Sequence, residues 1–334
     1  TLLSCEITPG QLEAFLQGGE PPAAVYITSP DYLGNMADIR GLAQVCRRFG
    51  CLLLVDNAHG AYLNFLVGGS RHPIALGAAM CCDSGHKTLP VLTGGAYLHL
   101  GPDAPVQDEA TVRNTLNLFG STRPSYLILQ SLDACNAVLA GDYPRRLVQC
   151  CAALEGLRRS LNKAAAARQC PVPLAVAGAQ QEPMKLTLDA AALGCTGTAL
   201  AEAMRRAQME CEYADPRYVV LMFTPETPPQ DYTRLQTVLE QLLAAVPAGL
   251  SRPENRAGEF AALQQQAVQC CTIRQAVLGA QVRIPVHKAL GRVCAMPTVS
   301  CPPAIPVAVS GEEITPAAIA LMQRYGIEEL SVLR

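Results

Sequence analysis

Chemically capable side chains gather at the ends of three short apolar runs. "VDNAHG" (55–60) brings Asp56, Ala58 and His59; "DSGHKT" (83–88) brings Ser84, His86 and Lys87; "VYITSP" (25–30) brings Thr28 and Ser29. In open α/β sheets ligands collect beyond the carboxyl ends of strands, so an acid, two imidazoles, hydroxyls and one amine converge on one rim. A lysine amine that condenses with an aldehyde, and a carboxylate that keeps a ring nitrogen protonated, are what pyridoxal phosphate requires. On this reading Lys87 forms the Schiff base and Asp56 stabilises the pyridinium that accepts carbanion electrons. Ala58 is small enough to lie against the ring, and His59 reaches the phenolic oxygen or the ring face. Ser84 and His86 donate to the phosphate. Each residue also has an ordinary reading: a solvated loop lysine, a carboxylate capping a turn, a satisfied histidine. A metal site built from Asp56, His59 and His86 is the rival chemistry, with no further clustered ligand to support it.

The elements that must position these residues follow from apolar periodicity. A strand fills 21–30. The stretch "GNMADIRGLAQVCRRFG" (34–50) then places Ile39, Leu42, Ala43, Val45, Cys46 and Phe49 at helical spacing, with Asn35 as the predicted N-cap and Gly50 at the C′ position. A second strand occupies 51–56. The resulting βαβ unit predicts parallel strands covered on both faces. The second half of 75–84 reads as a third strand and 94–100 as a fourth. Helices are predicted at 108–118 and at 124–140, the latter begun by Pro124. A separate αβ region then shows a helix (145–168), a strand (183–189), a helix (196–207), a strand (217–223) and a helix (229–246). A polar linker (251–260) leads to a Pro-rich tail that ends in a helix at 315–325. The predicted class is α/β, in three parts: 1–143, 144–250 and 251–334.

Composition narrows the function classes. The 334 residues are 50% hydrophobic and 16% charged, enough for a sizeable core and against wholesale disorder. The net charge of -2, from 26 basic and 28 acidic residues, offers no excess to attract phosphate backbones. Without Trp, and with 5% aromatics, platforms for stacking bases are scarce. No apolar run approaches the roughly 20 residues of a membrane span, and no signal peptide is visible. The 15 cysteines lack CxxC pairs and read as small buried hydrophobes in a reducing cytoplasm.

The stretches "VYITSPDYLGNMADIRGLAQVCRRFGCLLLVDNAHGAYLNF" and "SGHKTLPVLTGGAYLHL" resemble the bacterial Orn/Lys/Arg decarboxylases, pyridoxal phosphate enzymes of the aspartate-aminotransferase fold. The likeness continues through "STRPSYLILQSLD" (121–133), "MKLTLD" (184–189), "MECEYADPRYVVLMFTP" (209–225) and "HKALGRVCAMPTVSCPPAIPVAVSGEEIT" (287–315). It implies a partial fold-type-I large domain, a smaller αβ domain and a C-terminal tail domain. It implies Lys87 as the Schiff-base lysine, Asp56 as the pyridinium partner, Ala58 and His59 against the cofactor, and Ser84 and His86 near the phosphate. Ser121 and Thr122 match a segment that helps complete a neighbouring subunit's site. The implied reaction is α-decarboxylation of arginine, lysine or ornithine in a cytoplasmic homodimer or higher homo-oligomer, with Lys87 or His59 returning the proton to the α-carbon. Transamination or elimination on the same fold, or a truncated non-catalytic paralogue, are the alternatives. Three positions depart from the family pattern: Asn57, Gly85 and Arg123. The family's phosphate cup and ring-stacking residue belong to a preceding segment with no counterpart between Thr1 and Gly19, so a fragment is expected.

Overall fold

The computed structural model describes residues 7–120, 123–176, 180–247, 250, 266–296, 299–300 and 305–334. Helix α1 (Pro9–Gln17) opens with a capping box in which Thr8 and Gln11 satisfy each other's backbone N–H groups. Strand β1 (Ala24–Thr28), helix α2 (Ile39–Arg48) and strand β2 (Leu52–Asp56) form the predicted βαβ unit. Its strands run parallel from Ala24↔Leu52 to Thr28↔Asp56. The cap of α2 differs from expectation. Asp38, not Asn35, accepts the Gly41 N–H, while Asn35 is engaged with the carboxylate of Asp31. Gly50 does lie just past the helix, with φ 69°.

A short helix α3 (Pro73–Leu76) leads into β3 (Met80–Ser84), parallel to β2. After the single turn α4 (Gly85–Thr88) the chain returns antiparallel as β4 (Ala96–Leu100). The sheet order is β1-β2-β3-β4. One face carries Val25, Ile27, Leu53, Val55 and Cys81, packed on Leu42, Val45 and Cys46 of α2. The other face carries Tyr26, Asp56 and Cys82, and here the expectation of full cover fails: Tyr26 is 64% exposed and Cys82 is exposed. Strand periodicity sets which residues share a face, but what covers that face depends on distant chain.

Helices α5 (Glu109–Asn117), α6 (Tyr126–Ala140) and α7 (Tyr143–Ala167) follow. Helix α6 begins two residues after Pro124, capped by the hydroxyl of Ser125. Strand β5 (Lys185–Asp189), helix α8 (Gly197–Arg206), strands β6 (Tyr213–Ala214) and β7 (Tyr218–Met222), and helix α9 (Pro229–Ala245) build an antiparallel sheet in the order β5-β7-β6. Leu147, Leu154 and Leu161 of α7 share a core with Leu186, Leu188, Val219, Leu239 and Leu243. Each fully buried leucine contributes about 2 kcal/mol.

The tail contains α10 (Ile273–Leu278), β8 (Gln281–Pro285), β9 (Val299–Ser300), β10 (Ile305–Pro306), α11 (Pro316–Arg324) and β11 (Glu329–Leu333). β8 pairs antiparallel with β11 over a core of its own that includes Val286, Ile314, Leu321 and Val332. The expected linker 251–260 lies outside the described residues. The cysteines among the described residues are free thiols, many of them buried.

Candidate active site

Lys87 sits half-buried on α4, directly after β3. The following loop folds back beneath it: the Gly95 carbonyl accepts from the His86 backbone N–H at 3.4 Å and from His86 Nδ1 at 3.1 Å. That return needs a residue without a side chain, because a Cβ on Gly95 would lie 2.2 Å from Val91. Gly85, one of the three departures from the family pattern, is similarly enclosed. Its Cβ would meet Tyr97 at 3.2 Å and Val91 at 3.3 Å.

Lys87 Nζ lies 3.3 Å from Nε2 of the buried His59, which β2 delivers three residues beyond its end. Burial, then the positive charges of Lys185, Lys87 and His86, push the His59 pKa down to about 2. The ring is therefore neutral at physiological pH. With Nε2 accepting from Lys87 its proton resides on Nδ1, which is buried and without a partner among the described residues.

Asp56 ends β2 on the open sheet face, in register with Cys82. Its Oδ1 accepts the Ala58 N–H at 3.0 Å. Partial burial and then the Asp56 carboxylate raise the pKa of Tyr26, the neighbour on that face. Ser84 precedes α4, and its hydroxyl makes no capping bond. Lys87, His59 and His86 thus form one cluster, and Asp56 with Ala58 occupies the adjoining strand end. Ser121 and Thr122 lie outside the described residues, and Arg123 is exposed. The rival metal trio does not assemble, since Asp56, His59 and His86 are directed to Ala58, Lys87 and Gly95 respectively.

Two residues with no sequence motif of their own surround His59, and a third pairs with one of them. Tyr32 meets its ring edge-on, with centroids 5.3 Å apart, and Lys185 Nζ lies 5.5 Å from the centroid of Tyr32. Lys185 is buried and donates to the carbonyls of Asp31 and Tyr32 at 3.1 and 3.4 Å. Glu182, also buried, accepts from the Tyr62 hydroxyl and the Met184 N–H. Burial pushes Glu182 up and Lys185 down, while their mutual attraction opposes both shifts. A lysine inside the apolar strand "MKLTLD" was the available signal. Asn57 has a packing reason: its Nδ2 donates to Asp83 Oδ1 at 2.7 Å.

The amine, the neutral imidazole and the carboxylate on neighbouring strand ends suit an aromatic aldehyde with an ionisable ring nitrogen. The unpaired His59 Nδ1 and the Ser84 hydroxyl remain to donate to such a molecule. The donor set therefore fits pyridoxal phosphate.

Comparison with known proteins agrees. Residues 8–180, more than half of the chain, match the family described as Orn/Lys/Arg decarboxylase, major domain. The chain is 27% identical over 325 residues to the uncharacterized protein YaaO of Bacillus subtilis (strain 168), covering 94% of this chain and 64% of that protein. It is 26% identical over 294 residues to the arginine decarboxylase of the same organism, covering 86% and 59%. The constitutive lysine decarboxylase of E. coli superposes with a TM-score of 0.71 at 16% identity, over 98% of this chain and 61% of that one, and so shares the fold. The chain thus spans about three fifths of these relatives' length. Matching sequence, shared fold and the lysine–imidazole pair at the strand ends lead to one conclusion: the chain belongs to the Orn/Lys/Arg decarboxylase family.

Proposed function

We propose that this chain contributes the lysine-bearing part of a pyridoxal-phosphate-dependent decarboxylase that converts a basic amino acid to its amine. The observation that carries the reading is the 3.3 Å contact between Lys87 Nζ and His59 Nε2, with Asp56 ending the neighbouring parallel strand. When bound, pyridoxal phosphate supplies an electron sink for the carbanion left as CO2 departs. Lys87 offers the amine that holds the aldehyde carbon. Asp56 keeps a proton on the ring nitrogen through its negative charge, and Ala58 leaves room for a flat ring. Ser84 and His86 donate toward the phosphate. His59, neutral and locked between Tyr32 and Lys87, orients the amine. With its pKa near 2 the His59 ring holds only its Nδ1 proton at pH 7 and has no imidazolium proton to give. Lys87, not His59, is therefore the group that returns a proton to the α-carbon.

The same reading includes a cytoplasmic homodimer or larger homo-oligomer. Free thiols among the described residues support a reducing compartment. No helix among the described residues is long and apolar enough to cross a membrane. Exposed Leu118, Phe119, Tyr126 and Leu127 support a covered face in the assembly.

Borohydride reduction in the presence of pyridoxal phosphate, followed by peptide mapping, tests the site. The label is expected on Lys87 and lost in Lys87→Ala; label scattered over surface lysines would refute the assignment. Asp56→Ala is expected to retain the label while losing at least 100-fold in amine production. Amine plus CO2 identifies decarboxylation, whereas a keto acid would identify transamination.

A further inference from the structure

On the sheet face opposite Asp56 lies a second cluster, built from residues that the aldehyde site does not use. Asp83 Oδ2 is 3.0 Å from His72 Nε2, at the start of α3, and 3.0 Å from His99 Nε2, on β4. The two imidazoles meet edge-on with centroids 4.9 Å apart. Asp83 Oδ1 accepts from Asn57, which fixes the plane of the carboxylate. The Cys81 thiol lies 3.8 Å from His72 Nε2 and 4.0 Å from Asp83 Oδ1. The three residues form part of the wall of a cavity of about 600 Å³ that Asn64, Tyr97 and Asn136 also line.

The electrostatics of this cluster ask for a cation. The Asp83 side chain is 3% exposed, and its ion-pair partners among the described residues are two histidines, with no lysine or arginine. Buried carboxylates are usually paired with a cation or coordinate a metal.

We propose that His72, Asp83 and His99 bind a divalent first-row transition metal of the zinc class. Their ligand atoms all lie within 4.8 Å of one another. Two imidazoles and one carboxylate are a donor set for zinc or another first-row metal, leaving further positions open to the cavity. Binding involves no redox step. For each imidazole that now holds its proton on Nε2, the proton moves to Nδ1 as the metal takes its place. At His72 this opens the long 3.4 Å bond from the Ile74 N–H to Nδ1, so the Ile74 amide reports on loading.

The test uses the purified protein without pyridoxal phosphate, titrated with Zn2+ against a chromophoric chelator and with Co2+ followed by absorption. One equivalent is expected, with a Co2+ spectrum free of thiolate charge transfer and a shifted Ile74 amide resonance on Zn2+ binding. His99→Gln, at a side chain 38% exposed, is expected to keep the fold and weaken Zn2+ binding at least tenfold. Asp83→Asn should do the same, and if it fails to fold, His99→Gln decides alone. Unchanged affinity in His99→Gln, a thiolate band that assigns the metal to cysteines, or no bound equivalent would each overturn the proposal. None of these readouts depends on decarboxylation, so the result is separate from the cofactor assignment.

Discussion

At the scale of single residues, the neutrality of His59 has a measurable cost. Its ring resists protonation in the folded chain down to about pH 2, whereas a histidine in an unfolded chain titrates near 6.5. Below pH 6.5 the unfolded state therefore binds the extra proton, and the contribution of this site to stability falls as pH falls. Glu182 has the opposite trend: with its pKa raised, the folded state binds the extra proton between its unfolded value and its folded one, so its contribution to stability rises as pH falls through that window. The difference between wild type and His59→Gln isolates His59. Between pH 6.5 and 4.5, urea denaturation is expected to show wild type losing stability relative to the variant, by up to about 1 kcal/mol per pH unit. A pH-independent difference would show that His59 titrates normally. Lys87, His59 and Asp56 were legible in the sequence because an amine, an imidazole and a carboxylate ending apolar runs must share a rim. Tyr32 and Lys185 were not, since Lys185 comes from a strand about a hundred residues after Lys87 and meets Tyr32 only through tertiary packing.

At the scale of elements, α2 holds the first two strands of the rim in place by burying Ile39, Leu42, Ala43, Val45 and Cys46. Its spacing was plain in the sequence. Its start was not, because Asn35 and Asp38 are both good caps and the choice depends on Asp31, which engages the Asn35 side chain. Asp38→Ala is expected to lower stability by about 1 kcal/mol, with Asn35→Ala leaving the helix start unchanged. Equal helix fraying in both variants by amide exchange would refute this assignment. The parallel register of β1 on β2 puts Asp56 and Tyr26 on one face. Whether that face is covered is a property of what packs on it, which local periodicity does not encode.

At the scale of the whole molecule, the exposed apolar side chains cluster in chain order. Leu116, Leu118, Phe119, Tyr126, Leu127 and Leu129 are all exposed, with Phe119 at 88%, and α5 buries no residue among those described. Apolar exposure concentrated in one stretch of chain is a feature of interaction surfaces. Phe119→Ser is expected to leave thermal unfolding of the dilute protein within about 0.5 kcal/mol. It should also reduce concentration-dependent association in sedimentation velocity; unchanged association would remove this surface from the proposed homo-oligomer. Asn57 gives the molecule a further property. Its backbone continues directly from Asp56, while its amide grips Asp83 on the opposite side of the sheet. One short side chain therefore links the strand that ends in Asp56 to the Asp83 carboxylate. Thermodynamic reciprocity then requires whatever factor a cation contributes to aldehyde affinity to reappear, equal in size, in the cation's own affinity once the aldehyde is present.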